Sequence, residues 1–381
     1  MIPFNKPYIT GRELEFISDA VACGHISGNG KYTKLCQKLA EESWRFHKCL
    51  LTTSCTDALE MAAILLDIKP GDEVIMPSFT FVSTALAFVR QGAKVVFADS
   101  RSDHPGIDEH AIEHLITKKT RAIVVVHYAG IAVDMKPLME MADRYKIPVV
   151  EDAAQAIDSF YIRDGATKAL GSFGVLSAFS FHETKNIQSG EGGMLVINDP
   201  KLVKRAEIIW EKGTNRAEFF RGEVNKYGWV DVGSSFLPAD TIAAFLYAQL
   251  IDILDIQQKR RSLWNNYNRL FESWNSSRIQ LPFIPDYATN NGHMFYLVLE
   301  SFELRQQLIS HLKANGVLAV FHYLPLHLSD YYRDKHDGRS LPNSEYFADR
   351  LLRLPLYYEL TFEQQKFIVE LIHDFFEKTN Q

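Results

Sequence analysis

The sequence lacks several patterns that would assign it to a common functional class. Its 381 residues contain no HExxH motif and no cluster of His and Cys, so we expect no metal site. No GxGxxG follows a predicted strand and no GxxxxGK[ST] occurs, which excludes the usual dinucleotide and P-loop sites. There is neither an internal repeat nor a low-complexity segment. The chemistry of the chain must therefore depend on other residues.

An excess of positive charge is also missing. Acidic residues outnumber basic ones by 47 to 41, which gives a formal net charge of −6, and no run of Lys and Arg forms a patch. A nucleic-acid partner usually requires such a patch, so we expect none. Cysteine is scarce and shows no CxxC spacing, which is typical of reduced thiols in a reducing compartment; the four are Cys23, Cys36, Cys49 and Cys55.

Long apolar runs are absent as well. The N-terminal residues show no apolar core of a signal peptide, and the longest apolar stretch, residues 74–89, is interrupted by Pro77 and by several hydroxyl side chains. We therefore expect a cytoplasmic protein with no membrane span. Because 46% of the residues are hydrophobic, a chain of this length can bury a large core and form two domains.

From about residue 48 to 210, short apolar segments alternate with amphipathic ones. Val, Ile and Leu fill the apolar segments almost continuously, which predicts an α/β fold whose mostly parallel sheet is covered by helices on both faces. The predicted strands are 49–52, 73–76, 94–98, 122–127, 149–152, 176–180 and 194–197. The predicted helices are 56–66, 83–90, 109–116 and 136–145.

The alternation stops beyond residue 210. Residues 212–238 are rich in Gly, Arg, Asn and aromatic side chains, and they are too long for a plain connection, which indicates a functional or interface segment. A long helix is predicted over 239–273. A smaller α+β region follows, with strands predicted at 294–299 and 318–323 and helices at 304–315, 343–352 and 361–376.

These segments predict two domains. Residues 1–240 are expected to form a large cofactor-binding domain with an N-terminal arm. Residues 241–381 are expected to form the long helix and a small C-terminal domain.

Two charged residues lie at the ends of predicted strands. Lys185 comes after the apolar run 173–181 and before the Gly-Glu-Gly-Gly turn at 190–193, and Asp152 ends the run 148–152. Ligands of a parallel sheet collect at the carboxyl ends of its strands. An amine that can bind an aldehyde covalently, with a carboxylate that keeps a ring nitrogen protonated, suits pyridoxal phosphate (PLP). We therefore predict a PLP enzyme, although alone Lys185 could be a surface residue and Asp152 a helix N-cap.

Other candidate cofactor contacts lie near these strand ends. Residues 52–57 join a strand to a helix, where backbone N–H groups and the hydroxyls of Ser54 and Thr56 could bind a phosphate; ordinary helix capping is the alternative. Ser180 could add a hydroxyl to the same phosphate. Gln155, three residues after Asp152, could donate to the phenolic oxygen of the cofactor. Residues 77–81 supply aromatic rings after another strand, of which Phe79 is expected in the core.

Five segments in register resemble the DegT/DnrJ/EryC1/StrS family of sugar aminotransferases. They are 53–59 (TSCTDAL), 76–81 (MPSFTF), 150–156 (VEDAAQA), 179–186 (FSFHETKN) and 190–193 (GEGG). Residues 293–296 (HMFY) and 320–327 (VFHYLPLH) match the small-domain signatures of the family. The resemblance implies the type I aspartate-aminotransferase fold, PLP as cofactor, and a homodimer with shared active sites.

The resemblance also implies roles for individual residues. Lys185 matches the lysine that binds PLP covalently, Asp152 the partner of the ring nitrogen, and Gln155 the residue on the phenolic oxygen. Phe81 matches the aromatic residue that stacks on the cofactor. Two of the matched positions carry unusual residues: Ser235 stands where many relatives place an asparagine that reaches the neighbour's phosphate, and Cys55 where many have glycine. The positions that match phosphate binders are Cys55, Thr56 and Ser180.

A closer likeness implies an activity. Segments 179–186, 211–216 (EKGTNR), 219–222 (FFRG) and 233–236 (GSSF) resemble the branch that aminates dTDP-4-keto-6-deoxy-D-glucose with L-glutamate. The products would be a dTDP-4-amino-4,6-dideoxyhexose, with the galacto form favoured, and 2-oxoglutarate. Such a sugar would serve surface polysaccharides such as the lipopolysaccharide O-antigen or enterobacterial common antigen.

Three alternatives remain open. A 3-keto-sugar aminotransferase is the nearest, because the sequence separates it poorly from a 4-aminotransferase. A PLP-dependent sugar dehydratase is disfavoured because those relatives carry histidine in place of Lys185. A non-enzymatic PLP-binding scaffold is disfavoured because both Lys185 and Asp152 are present and no DNA-binding segment is visible.

Substrate contacts are predicted in the segment that breaks the alternation. We hypothesise that residues 212–235 cross to the partner subunit and help to recognise the nucleotide sugar. Arg216 and Arg221 are candidates for a diphosphate or a carboxylate, with surface ion pairs as the alternative. Tyr227 and His322 are further candidate substrate contacts.

Overall fold

The structure is a computed structural model that describes residues 1–272, 274 and 278–379. Its main feature is a seven-stranded sheet with the order β1-β9-β8-β5-β4-β2-β3. Six strands run in the same direction, and β9 runs against both of its neighbours. The strands are β1 (Lys48–Thr52), β2 (Glu73–Pro77), β3 (Lys94–Ala98), β4 (Thr120–Val126), β5 (Val149–Asp152), β8 (Leu176–Ser180) and β9 (Gly193–Ile197). The predicted mostly parallel sheet is thereby confirmed.

Helices cover both faces of this sheet. The first eight helices are α1 (Glu13–Ala22), α2 (Lys31–Trp44), α3 (Cys55–Leu65), α4 (Val82–Val89), α5 (Met135–Tyr145), α6 (Pro200–Trp210), α7 (Arg216–Phe220) and α8 (Asp240–Ile251). Strand residues alternate between two apolar cores: Ile75 packs with α2, α5 and α8, whereas its neighbours Val74 and Met76 pack with α3, α4 and α6. Burial on both faces explains the continuous apolar runs of these strands.

A second sheet forms from the C-terminal residues. It is antiparallel, with the order β10-β11-β13-β12, and comprises β10 (Ile279–Gln280), β11 (Phe295–Leu299), β12 (Val320–Phe321) and β13 (Leu351–Leu354). The remaining helices are α9 (Ile253–Glu272), α10 (Phe302–Ala314), α11 (Pro342–Arg350) and α12 (Phe362–Thr379). Apolar residues of α9, α10 and α12 pack on β11 and β13 in a third core, which matches the predicted smaller α+β region.

The prediction of one helix over 239–273 was wrong in one respect. The helix is interrupted at Asp252, so that α8 and α9 are separate, and Ser273 lies outside the described residues. The change of core comes after the break. Leu250 of α8 and Ile256 of α9 pack in the core of the large sheet, whereas Leu263 and the apolar residues after it on α9 pack in the core of the second sheet.

Three other predicted elements differ from the structure. Residues 109–116 form only a short 3₁₀ turn, Glu113–Leu115, because Ile112 is their one fully buried apolar side chain and a helix that short needs packing to persist. The predicted strand 318–323 is reduced to β12. The predicted helix 343–352 ends at Arg350, because Leu351 and Leu352 pair with β11.

Some elements were not predicted from the sequence. The hairpin β6 (Phe160–Arg163) and β7 (Ala166–Ala169) forms a separate two-stranded sheet.

The N-terminal arm contacts both halves of the chain: Ile2 bridges to Val317, and the Asn5 side chain donates to the Glu183 carbonyl.

Two general expectations bear on the environment of the chain. All four cysteines are free thiols. Within the described ranges, no helix combines the length and apolar character needed to cross a membrane.

A buried carboxylate holds the region behind the carboxyl edge of the large sheet. Glu151 of β5 accepts hydrogen bonds from the backbone N–H groups of Gly171, Phe173 and Gly174, each at 2.7 Å. His127 Nδ1 accepts from the Val133 N–H, so its Nε2 carries the proton and donates to Glu151 at 2.9 Å. Burial raises the pKa of Glu151, but these hydrogen bonds outweigh it and the net pKa is lowered.

We expect Glu151→Ala to lower the free energy of unfolding by at least about 3 kcal/mol, because three buried N–H groups would lose their acceptor. Urea denaturation measures this change. The matched control is Glu140→Ala on α5, where the side chain is exposed and the change should stay within about 0.5 kcal/mol. A Glu151→Ala variant as stable as the control would show that the network does not hold this region.

Candidate active site

A cavity of about 800 Å³ lies at the carboxyl edge of the large sheet. The strands β1, β5 and β8 end there, and the antiparallel β9 begins there, since Gly193 pairs with both Thr52 and Ser180. The opposite wall comes from the second sheet, through residues of β12, β13 and the loop after them. Both sheets are therefore needed to form the cavity.

Asp152 is buried at this edge. Its Oδ2 accepts a hydrogen bond from Thr84 Oγ1 at 2.6 Å, and its Oδ1 accepts from the Ala154 N–H at 3.1 Å. Burial raises the pKa of Asp152, opposed by these hydrogen bonds and by the charge of Lys185. No cation lies within ion-pair distance of this carboxylate among the described side chains. The site therefore presents a buried, oriented acceptor to the cavity.

Lys185 lines the same cavity from the loop after β8. Its amine makes no hydrogen bond with any residue that the structure describes. Burial lowers the pKa of Lys185, with opposition from Cys55 and Asp152 and a further lowering by Arg353. A lowered pKa increases the neutral fraction of the amine, which is the form that attacks an aldehyde.

The N-terminus of α3 forms a cradle beside Lys185. Its first N–H groups, at Cys55 and Thr56, have no intrahelical acceptor. Together with the helix dipole, they make this end of α3 electrostatically positive. The loop lies directly on β9: a Cβ at Gly193 would sit 2.3 Å from the Ser54 carbonyl carbon. Only glycine fits there, and Ser180 lines the cavity next to this contact.

Gln155 and Phe81 border the cavity. Gln155 Oε1 accepts from the Ala129 N–H at 2.6 Å, and Nε2 donates to the Tyr323 hydroxyl at 3.2 Å, which leaves one amide proton available. The Phe81 ring is 56% exposed, with its centroid 6.0 Å from that of Tyr323. An exposed aromatic ring at a cavity mouth can stack on a flat ligand. As expected, Phe79 is buried in the core.

In the single chain, some of the predicted substrate and partner contacts line the cavity and others do not. His322 lines the cavity, and its Nδ1 lies 3.0 Å from the Tyr128 hydroxyl. The others lie outside the set of described residues that line the cavity; they are Arg216, Arg221, Tyr227 and Ser235.

Each of these outer residues has local contacts. Arg221 pairs with Glu207 and Glu223, and the Arg216 guanidinium lies 5.2 Å from the Phe220 ring centroid. Tyr227 packs on Phe219. Ser235 bridges to Glu211, but the next residue accepts a hydrogen bond from the Thr53 N–H, so the end of this segment adjoins the cradle.

The residues that sequence reasoning missed include Thr84, Phe4 and Arg353. Thr84 of α4 holds Asp152 by a hydrogen bond from outside the set of residues that line the cavity, whereas Phe4 reaches the cavity from the N-terminal arm. Arg353 of β13 brings a second positive charge. None of them has a local signal, because each meets the site only through tertiary structure.

The donor set fits PLP. The unpaired carboxylate of Asp152 suits a protonated ring nitrogen, the Lys185 amine suits the aldehyde carbon, and the α3 cradle suits the phosphate. These three groups lie on one cavity that also has room for a substrate.

Comparison with known proteins agrees with this geometry. Residues 7–373 match the model of the DegT/DnrJ/EryC1/StrS aminotransferase family. The chain is 30% identical to the UDP-4-amino-4-deoxy-L-arabinose–oxoglutarate aminotransferase of Shewanella sediminis, over 98% of this chain and 97% of that protein. It is 29% identical to the spore coat polysaccharide biosynthesis protein SpsC of Bacillus subtilis, over 98% and 96% of the two chains.

A solved structure shares the whole architecture. The putative sugar aminotransferase Spr1654 of Streptococcus pneumoniae, in its apo form, superposes with a TM-score of 0.91 over 99% of this chain and 98% of that chain, at 27% identity. The same protein has been solved in forms that carry PLP and its aminated counterpart. With the family match over nearly all residues, these findings establish that the chain belongs to the DegT/DnrJ/EryC1/StrS family and is a PLP-dependent sugar aminotransferase.

Proposed function

We propose that the chain transfers the amino group of L-glutamate to C4 of dTDP-4-keto-6-deoxy-D-glucose. The products are dTDP-4-amino-4,6-dideoxyhexose, with the galacto form favoured, and 2-oxoglutarate. The observation that carries the proposal is the placement of the Lys185 amine and the Asp152 carboxylate on one cavity of about 800 Å³. That volume suits a cofactor together with part of a sugar substrate.

In this proposal Lys185 is the catalytic base. It would hold the cofactor between turnovers, and its amine, once released, would take up and return the proton at the substrate Cα. Its lowered pKa favours the neutral amine that this transfer requires. Proton transfer by a positioned base typically contributes roughly 10²–10⁴-fold to the rate.

The other predicted residues position the cofactor. PLP, when bound, supplies an electron sink that stabilises negative charge at the reacting carbon. Asp152 would pair with the ring nitrogen, Gln155 would donate its remaining amide proton to the phenolic oxygen, and Phe81 would stack on the ring. The α3 N-terminus would hold the phosphate, with Cys55, Thr56 and Ser180 as its binders.

The choice of donor and of carbon draws support from a relative. The name of the Shewanella sediminis protein includes a 4-amino sugar and oxoglutarate, the product of glutamate deamination. That name carries UDP rather than dTDP, so the nucleotide base is the least supported part of the proposal. The surface-polysaccharide pathway accords with the name of the Bacillus subtilis relative. The four free cysteines support the proposed cytoplasmic location.

The alternatives are tested by the same assay. A 3-keto-sugar aminotransferase would give a product aminated at C3. A sugar dehydratase or a scaffold would not exchange an amino group with glutamate.

We expect L-glutamate to bleach the visible absorbance of the PLP-loaded enzyme, and dTDP-4-keto-6-deoxyglucose to restore it. NMR of the product then gives the position of the amine and its galacto or gluco configuration, and the UDP sugar serves as the comparison substrate. Lys185→Ala should abolish both absorbance changes. If glutamate leaves the wild-type spectrum unchanged, the proposed donor or the reaction class is wrong.

Thr84→Val should slow the glutamate half-reaction by about 10-fold, because Asp152 loses a charge-assisted hydrogen bond. That bond lowers the pKa of Asp152, so its loss raises the pKa and weakens the ion pair with the ring nitrogen. Stopped-flow absorbance measures the rate. Thr117→Val, which removes a surface hydrogen bond to Glu73, is the control and should react at the wild-type rate.

We also propose the homodimer with shared active sites, and the division into residues 1–240 and 241–381. Exposed apolar side chains support the dimer: Trp229 is 84% exposed, and Val230, Val232 and Phe81 are more than half exposed. Residues of this kind, gathered in segment 212–235 and at the cavity mouth, are typical of a protein interface. In the dimer, Arg216, Arg221, Tyr227 and Ser235 would serve the neighbour's site.

A complementation experiment tests this sharing. Lys185→Ala and a Ser235→Trp variant should each be nearly inactive, but a refolded or co-expressed mixture should regain up to about a quarter of the wild-type activity. Only a site that combines Lys185 from one protomer with segment 212–235 from the other becomes intact in the hybrid. If the mixture stays inactive while light scattering shows a dimer, the segment serves its own subunit.

Trp229→Glu should shift the protein toward monomers in light scattering, whereas Phe367→Glu, on the exposed face of α12, should not.

A further inference from the structure

Arg353 places an unused positive charge inside the cavity. It lies on β13 of the small sheet and lines the cavity with Lys185 and His293. Its Nη2 donates to the Phe321 carbonyl at 3.3 Å, whereas its Nε is buried and has no hydrogen-bond partner. Within the described part of the chain, no carboxylate lies within ion-pair distance of this guanidinium.

The surroundings of Arg353 hold the guanidinium in place without neutralising it. The guanidinium carbon lies 4.6 Å from the centroid of the Phe4 ring, which the N-terminal arm supplies. Tyr128 and Tyr323 are near neighbours with neutral hydroxyls. A buried charge usually has a counter-charge, so a guanidinium fixed in this way is suited to an anion that arrives with a ligand.

We propose that Arg353 binds a carboxylate of the amino donor. The inference rests on the proposed function and specifies how its first substrate is held. A guanidinium presents two parallel N–H groups, and a carboxylate matches this fork with two oxygens. The unpaired Nε and an adjacent Nη provide such a fork on a residue that lines the cavity.

The position of the charge favours the donor over the nucleotide sugar. Burial lowers the pKa of Lys185, His293 and His322, and in each case the charge of Arg353 lowers it further, so Arg353 lies close to all three. The α-carboxylate of an amino acid is one bond away from the carbon that reacts at Lys185. The diphosphate of the sugar substrate is separated from C4 by the width of the sugar ring. A cation near the reacting amine therefore suits the carboxylate.

The test compares the two half-reactions of PLP-loaded wild type, Arg353→Gln and Arg353→Lys. For Arg353→Gln, the apparent dissociation constant of L-glutamate in stopped-flow absorbance should rise about 10- to 100-fold. The reaction of the aminated enzyme with the keto sugar should change less than about 3-fold. Arg353→Lys keeps the charge but loses the fork, so its glutamate constant should lie between those of the other two proteins.

A binding measurement complements the kinetics. Glutarate carries two carboxylates and no amine, so it cannot react. Calorimetry should show it binding the wild-type holoenzyme and losing at least about 10-fold in affinity in Arg353→Gln. The control is Arg350→Gln: Arg350 is half-buried on α11 and outside the set of residues that line the cavity, stacks on Tyr346 and donates to the Glu300 carbonyl, and its loss should leave glutarate binding unchanged.

The outcomes separate this inference from the proposed function. If wild type does not react with glutamate, the proposed donor is wrong. If wild type reacts and Arg353→Gln binds glutamate and glutarate equally well, Arg353 is not the carboxylate site. An equal loss in both half-reactions, or a loss confined to the sugar half-reaction, also overturns the inference.

Discussion

The whole site depends on the burial of two groups of opposite charge, Asp152 and Lys185, on one cavity. Each charge lowers the electrostatic cost of burying the other, and neither makes a direct ion pair. The parallel pairing of β5 with β8 brings them together, because Asp152 lies opposite Ala178 and the loop of Lys185 follows a few residues later. The backbone of the sheet therefore sets the separation of the two groups.

The large domain could be predicted well because its signals are local. Its strands are buried on both faces, so they appear as continuous apolar runs, and each site residue at a strand end follows such a run. The positions of Asp152, Lys185 and the α3 cradle were predicted for this reason, and all of them line the cavity. The predicted roles of these residues remain predictions, as does the contribution of Ser235 and segment 212–235.

The small domain and the far wall of the cavity were harder to predict for a physical reason. The strand β13 follows α11 without a turn residue, so residues 343–352 have a continuous pattern that a helix explains equally well. The break at Asp252 involves neither Gly nor Pro, so no residue type marks it. Arg353 and Phe4 reach the cavity from distant parts of the chain. Only the packing of the second sheet and of the N-terminal arm brings them there.

The antiparallel wall of the cavity has a consequence for how the protein is made. Tyr128 bonds to His322 across 194 residues, Gln155 bonds to Tyr323 across 168, and the arm at Phe4 covers Arg353. A ribosome releases the N-terminal residues first, so the sheet of the large domain can pair before the residues that close the cavity exist. Until then, the cavity lacks the wall that His322, Tyr323 and Arg353 supply. The site is therefore complete only near the end of synthesis, when β13 takes its place beside the N-terminal arm.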